Sequence, residues 1–327
     1  MEHLLQKINN IYGINVSLFE KVTKGFLSEN YFLSDGEDRF FLKKYRFDKP
    51  NRIIEIHASK KYFSNGGIPV ILPISFLDGK TFFEHDHTYY ALFPFIEGRH
   101  IERGELSDTA IISLGKMLGK IHLLGKNSKL VIEDYFTIED KEKIFKKIED
   151  ITKKISEVDT LSEFDKTANE NIQIKKELLL KNTINFESLG LQSDHLIHGD
   201  YLEHNVLFDE HDNVKWVFDF EKTGYSPRTY ELFRSMCYGF LSSGVTNINI
   251  DNARKYIDAY ASVYPISYDE IKKGLQLFYV KSINGFWVES EHYLKDNTRV
   301  DHFLFEDHKR IKFLSENLDS LIDALTK

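Results

Sequence analysis

One stretch in the second half of the chain limits its fold more than any other. His198-Gly199-Asp200-Tyr201-Leu202-Glu203-His204-Asn205 leads into Val206-Leu207-Phe208, a polar turn over Asp209 to Asn213, then Val214 to Phe218 and Asp219-Phe220-Glu221. Two short apolar runs around a polar turn form a β-hairpin, and a hairpin brings its two ends together. Asp219 therefore returns beside Asn205, with Asp200 five residues upstream of Asn205. Most of the chain around this island reads as helix. Leu106, Ala110, Leu114, Met117-Leu118 and Ile121 share one helical face. Ile144, Ile148, Ile151, Ile155 and Val158 repeat at helical steps among Lys and Glu, the pattern of an amphipathic helix.

The first third is patterned differently. Leu4, Leu5, Ile8 and Ile11-Tyr12 predict an opening helix that stops at Gly13. Tyr31-Phe32-Leu33 and Phe40-Phe41-Leu42 flank the turn Ser34 to Asp38, and so predict a hairpin. Helical spacing resumes from Asn51 to Phe63, and Ile74 to Phe76 and Thr88 to Phe93 read as further strands. Pro94 and Gly98 bracket a link where composition changes. The expectation is an α+β fold with a small β-rich lobe over residues 1–96 and a larger, mainly helical lobe over 97–327.

Composition narrows the function. Lys+Arg 43 against Asp+Glu 51 gives a net charge of −8, which repels nucleic-acid backbones. The single cysteine, Cys237, excludes an internal disulfide and a cysteine-based zinc site. No run reaches the ~18 apolar residues of a membrane span. The charged, amphipathic N-terminus is unlike a signal peptide. These features point to a protein of a reducing cytoplasm, with neither nucleic acid nor membrane as partner. Oligomeric state is not readable.

The hairpin ends carry the chemistry. Mg²⁺ prefers oxygen ligands in tight octahedral geometry, with phosphate oxygens completing the shell. Asn205 and Asp219 supply two such ligands, and Asp200 is placed to orient a hydroxyl and take its proton. A metal-free turn with capping acids is the competing reading. HGD, then Asn, then an acidic triplet resembles the signature of the aminoglycoside phosphotransferase and choline kinase superfamily, small-molecule kinases with a protein-kinase-like fold. The resemblance implies Asp200 as catalytic base, Asn205 and Asp219 as Mg²⁺ ligands, and ATP or another nucleoside triphosphate as donor. His198 would buttress the loop. Protein kinases carry Arg before the catalytic Asp; Gly199 stands there, and no long activation loop fits before Tyr230-Glu231. Glu231 occupies a position where the family more often has Asp.

The small lobe should then hold a phosphate-positioning lysine. In Phe40-Phe41-Leu42-Lys43-Lys44-Tyr45, strand phase puts Lys43 and Tyr45 on one face and Lys44 on the other. The resemblance favours Lys43, with Glu55 as the helix-borne glutamate that pairs with it. A solvated surface pair is the alternative. Gly25, Ser28 and Asn30 are candidates for a reduced phosphate loop, and a plain β-turn explains them as well. Phe95 and Ile96 correspond to the segment that reads adenine. Glu84-His85-Asp86-His87 is read as a solvated turn rather than a metal site.

The implied activity is phosphorylation of a hydroxyl on a small molecule. Trp287, Glu289 and Glu291 form an acidic, aromatic stretch suited to a cationic amine such as an amino alcohol, an aminoglycoside or a homoserine-like acceptor, with cation–π contact worth ~0.5–2 kcal/mol. A solvated acidic helix face is the competing reading. A pseudokinase or spore-coat-like structural module, or an atypical protein kinase, are the alternative functions.

Overall fold

A computed structural model of the chain describes residues 2–22, 29–76, 78–133, 136–240 and 248–326. Alternation sets the first layer. In β2 (Asn30–Ser34) and β3 (Arg39–Lys44), Tyr31, Leu33, Phe40 and Leu42 all turn inward. Their register pairs Tyr31 with Leu42 and Leu33 with Phe40. This face is covered by Leu4 and Ile8 of helix α1 (Glu2–Tyr12). On the opposite face Tyr45, Ala91 and Phe93 meet Ile53 of α2 (Pro50–Asn65). With β1 (Leu18–Lys21), β4 (Phe83–His85) and β5 (Thr88–Pro94), the antiparallel sheet has the order β1-β2-β3-β5-β4.

Ile74 to Phe76 is extended chain, not the expected strand. Ile74 N–H donates to Leu92 O at 2.8 Å, but Phe76 N–H turns to Lys80 O at 2.9 Å. Pro73, with no N–H, cannot extend a ladder. Glu84 and His85 belong to β4, and Asp86 and His87, at φ 48° and 57°, form its turn into β5.

The helical lobe begins with α3 (Asp108–Gly125). The predicted isoleucine repeat lies on α4 (Lys141–Ser156), where Ile144, Ile148, Ile151 and Ile155 are buried; Val158 falls beyond the helix and is partly exposed. Helix α5 (Glu163–Lys181) shares that apolar cluster, and the short α6 (Phe186–Leu189) follows. Then come two small ribbons. Strand β6 (His195–Ile197) pairs with β9 (Gly224–Ser226), and β7 (Val206–Phe208) pairs with β8 (Val214–Val217). The chain ends in α7 (Arg228–Phe240), α8 (Ile250–Ala261), α9 (Tyr268–Ile283), α10 (Trp287–Lys295) and α11 (His302–Thr326). The architecture is the expected α+β one, a small antiparallel-sheet lobe and a larger helical remainder.

The lobes meet at the ribbons. Val217 N–H donates to Pro69 O at 2.8 Å, and just past the link Arg99 and Phe208 exchange backbone bonds of 3.0 and 2.9 Å. The Arg52 guanidinium of α2 donates to the carbonyls of Glu221 and Thr223 at 2.9 and 2.6 Å. Among the described residues, no helix is long and apolar enough to cross a membrane.

Candidate active site

The β7–β8 hairpin does what its sequence dictates. Val206 stands opposite Val217, and Phe218 N–H donates to Asn205 O at 3.1 Å, which brings Asp219 beside Asn205. Asp219 adopts left-handed backbone angles, φ 62° and ψ 60°, a conformation Asp tolerates better than most residues. The Asn205 amide nitrogen donates to Asp200 O at 2.8 Å, so its carbonyl oxygen is the end left to face a cation. Two oxygen donors on adjoining loops fit Mg²⁺, which fills its other positions with water and phosphate.

Lys43 of β3 reaches this point from the other lobe. Its Nζ lies 2.8 Å from Asp219 Oδ1 and 2.7 Å from Glu221 Oε1. Burial disfavours the ammonium, but the two carboxylates outweigh it and hold its pKa above the ordinary value. Lys44, on the opposite strand face, turns to Glu29 at 2.7 Å. The expected Lys43–Glu55 pair does not form. Helix α2 turns Ile53, Ile56, Lys60 and Phe63 inward, and Glu55 lies off that face. Its carboxylate pairs with Arg52 at 3.0 Å and accepts Glu133 N–H at 3.1 Å. Glu221, the last residue of the acidic triplet, takes its place on Lys43 and also meets Arg46 at 3.3 Å.

Asp200 sits between two cations. Its Oδ2 is 2.9 Å from Lys222 Nζ and its Oδ1 2.6 Å from Arg234. Burial would raise the carboxyl pKa, yet Arg234 and Lys222 pull it well below the usual carboxylate range. The loop beneath it is fixed by buried groups. Glu231 of α7 accepts N–H bonds from Gly199 at 2.5 Å, His198 at 3.1 Å and Tyr201 at 3.3 Å. His122 stands 3.0 Å from the same carboxylate. His198, fully buried, donates Nε2–H to Phe218 O at 2.8 Å and accepts Asp200 N–H at Nδ1 at 3.2 Å. Gly199 has φ +88°, and a Cβ there would collide with the Lys222 carbonyl oxygen.

The other expected residues are placed less directly. Gly25 and Ser28 lie outside the described residues. Asn30 stands opposite Lys43 in the β2–β3 register. Phe95 N–H donates to Arg39 O at 3.0 Å, and its ring stacks on the Arg39 guanidinium at 3.8 Å. Its amide is therefore engaged with β3. Ile96, half-buried, follows it. Glu289 is interior, accepting from Asn171 at 2.8 Å beside Lys175. Glu291 is neutralised by Lys295 at 2.6 Å, and Trp287 is half exposed against Phe303. None of these three is among the described residues that line the cavity beside Asp200; the acidic residues found partners within the helical lobe.

Sequence reading passed over Lys222, Arg234 and Lys60, and took in Glu221 only as the end of the acidic triplet. Lys222 adjoins that triplet, a signal of proximity. Arg234 reaches Asp200 only because α7 packs under the loop. Lys60 is buried, donates to Ile71 O at 3.2 Å and lies 4.3 Å over the Phe93 ring. Burial, with repulsion from Lys43, depresses its pKa to about 7.

A family model described as "Phosphotransferase enzyme family" (APH) matches residues 19–266. Among curated proteins, "Stress response kinase A" of Escherichia coli (strain K12) is 28% identical over 102 residues, 31% of this chain. The chain spans about 30% of that relative's length in the match. Solved structures share the fold at low identity. Spectinomycin phosphotransferase APH(9)-Ia, in complex with ADP and spectinomycin, aligns with TM-score 0.64 at 17% identity over 99% of this chain and 97% of that one. Choline kinase from Cryptosporidium parvum Iowa II aligns with TM-score 0.61 at 15% identity over 99% and 98%. A microcompartment-associated aminopropanol kinase aligns with TM-score 0.65 at 14% identity over 100% and 99%.

Proposed function

The chain belongs to the phosphotransferase enzyme family, and from that premise we propose that it is an ATP- and Mg²⁺-dependent kinase of a hydroxyl group on a small molecule. What supports this reading most is one connected network. Asp200, Asn205 and Asp219 adjoin one another, and Lys43 bridges from the opposite lobe. A structural module would have no need for a buried lysine and acids joined across a cleft.

In the reaction, the acceptor oxygen forms a bond to the γ-phosphorus while the bond to the β-phosphate oxygen breaks. ADP leaves with that electron pair, and the hydroxyl proton passes to an Asp200 carboxylate oxygen and on to solvent. Lys43 holds α/β-phosphate oxygens in register. Asn205 and Asp219 would hold the Mg²⁺, whose charge offsets that developing on the phosphates. Among the described residues, no group of three or more His, Cys, Asp or Glu could hold a metal alone, which suits an ion that arrives with its nucleotide. With its pKa depressed by Arg234 and Lys222, Asp200 orients the hydroxyl and takes its proton late in the transfer.

An amine-bearing acceptor is what the superfamily resemblance implies. The residues around Asp200 favour another class, taken up below.

Two variants test the assignment. Asp200→Asn should lower kcat by about 10²–10⁴-fold while Mg–nucleotide binding persists. Asp219→Asn should weaken Mg–nucleotide binding as well. Wild-type turnover by either variant would overturn it.

A further inference from the structure

Beside Asp200, on the side facing α7 and α9, lies a cavity of about 240 Å³. That is below the ~300–1,000 Å³ of drug-sized ligand sites, room for a compact acceptor. Its described lining includes Lys222, Arg234 and Lys281, and no carboxylate. Three cations converge here in a chain of net charge −8, against the protein's overall field.

Each cation is held ready. Lys222 and Arg234 bracket Asp200 at 2.9 and 2.6 Å. One carboxylate cannot saturate both groups, and Arg234 Nη1 is buried with no hydrogen-bond partner. Such a buried, orphaned donor is costly unless something accepts from it. Lys281 donates to Thr137 O and lies over the Phe136 and Tyr230 rings at 5.0 and 5.9 Å. Glu139 acts on it electrostatically but is itself paired with Lys147 at 2.7 Å, and neither a carbonyl nor a ring neutralises the ammonium. A cationic acceptor would meet like charges in this cavity, at a cost that rises as water is excluded.

Resting on the kinase reading above, we infer that the acceptor carries an anionic group, a carboxylate or a phosphate, seated among Arg234, Lys222 and Lys281 while its hydroxyl faces Asp200. Arg234 supplies the planar donor fork that suits either anion. Phe136 and Tyr230 form an apolar wall for the carbon skeleton.

The full chain, saturated with Mg–AMP-PNP so that the nucleotide site is filled, is titrated calorimetrically with four probes. Glycerate and glycerol 3-phosphate represent the two anions; ethanolamine and spectinomycin represent the amines. Binding of at least one anion and neither amine is expected, and the two anion arms tell carboxylate from phosphate. In Lys281→Met that binding should weaken by about tenfold or more, and Lys281→Arg should restore it. Cooperative melting of each variant confirms that it is folded. Binding of an amine, binding of no anion, or anion affinity unchanged in Lys281→Met each overturns the inference. Failure to bind Mg–AMP-PNP at all would instead sink the kinase reading.

Discussion

Replacing Glu231 with glutamine should loosen the loop that carries Asp200, and the structure gives the size of the effect. One carboxylate oxygen accepts from Gly199 and Tyr201 N–H at 2.5 and 3.3 Å; the other accepts from His198 N–H and faces His122 Nε2, at 3.1 and 3.0 Å. A carboxylate only accepts, so His122 carries its proton on Nε2 and takes the Tyr260 hydroxyl on Nδ1 at 3.0 Å. Glutamine can keep one oxygen toward Gly199 and Tyr201. Its NH₂ then faces the His198 N–H, donor against donor, while His122 can change tautomer. Orphaning that buried N–H costs about 1–3 kcal/mol, and loss of charge assistance at the two surviving bonds about 1 kcal/mol each. The sum, about 3–5 kcal/mol, is a large share of the ~5–15 kcal/mol that holds a domain together. Urea unfolding measures it, and hydrogen exchange at residues 198–201 shows whether the loss is local. A penalty below about 1 kcal/mol, with exchange and kcat unchanged, would refute this account of the clamp. The carboxylate is stabilised in the fold, its pKa lowered by His122 and the backbone donors despite burial. Its contribution is therefore present above the unfolded glutamate value and lost as pH falls through the folded one.

Glu221→Gln should raise the KM for ATP by about tenfold through loss of Lys43's carboxylate partner, whereas Glu55→Gln stays within about twofold; steady-state kinetics on the two variants separates them, and the reverse order would restore Glu55 as the lysine's partner. Lys60→Met should stabilise the chain near neutral pH. A buried ammonium whose pKa falls from 10.5 to about 7 carries a penalty of about 1.4 kcal/mol per unit, offset in part by its lost contacts to Ile71 and Phe93. That penalty is complete below the folded pKa and vanishes above the unfolded one, so the variant's advantage in denaturant melts should shrink from about pH 7 to about pH 10; a constant difference would argue against it.

What could be read in the sequence follows from how far each determinant acts along the chain. The hairpin between Asn205 and Asp219 is local, and the pleat assigns Lys43 and Lys44 to opposite faces without tertiary information. Glu55 illustrates the limit. Its place in a helix was legible, but the rotation of that helix is set by which residues the sheet and ribbons accept, and Arg52 anchors it on Glu221 and Thr223 carbonyls. The acceptor side was least legible because Arg234 and Lys281 reach the cavity from separate helices of the other end of the chain. Glu289 looked available only because its partners, Asn171 and Lys175, lie more than a hundred residues upstream, whereas the partner of Glu291, Lys295, is one helical turn away.

The contact between Gly199 and the Lys222 carbonyl bears on how such a chain can be controlled. In protein kinases the residue at that place is an arginine, through which phosphorylation of a distant loop governs the active centre. Here any side chain would drive the base-bearing segment away from the metal-bearing one, so an arginine cannot be seated there without moving the two apart. Its electrostatic office beside Asp200 is already filled from α7 by Arg234, permanently. Covalent control of the protein-kinase kind, routed through an arginine at this position, therefore has no room in this fold.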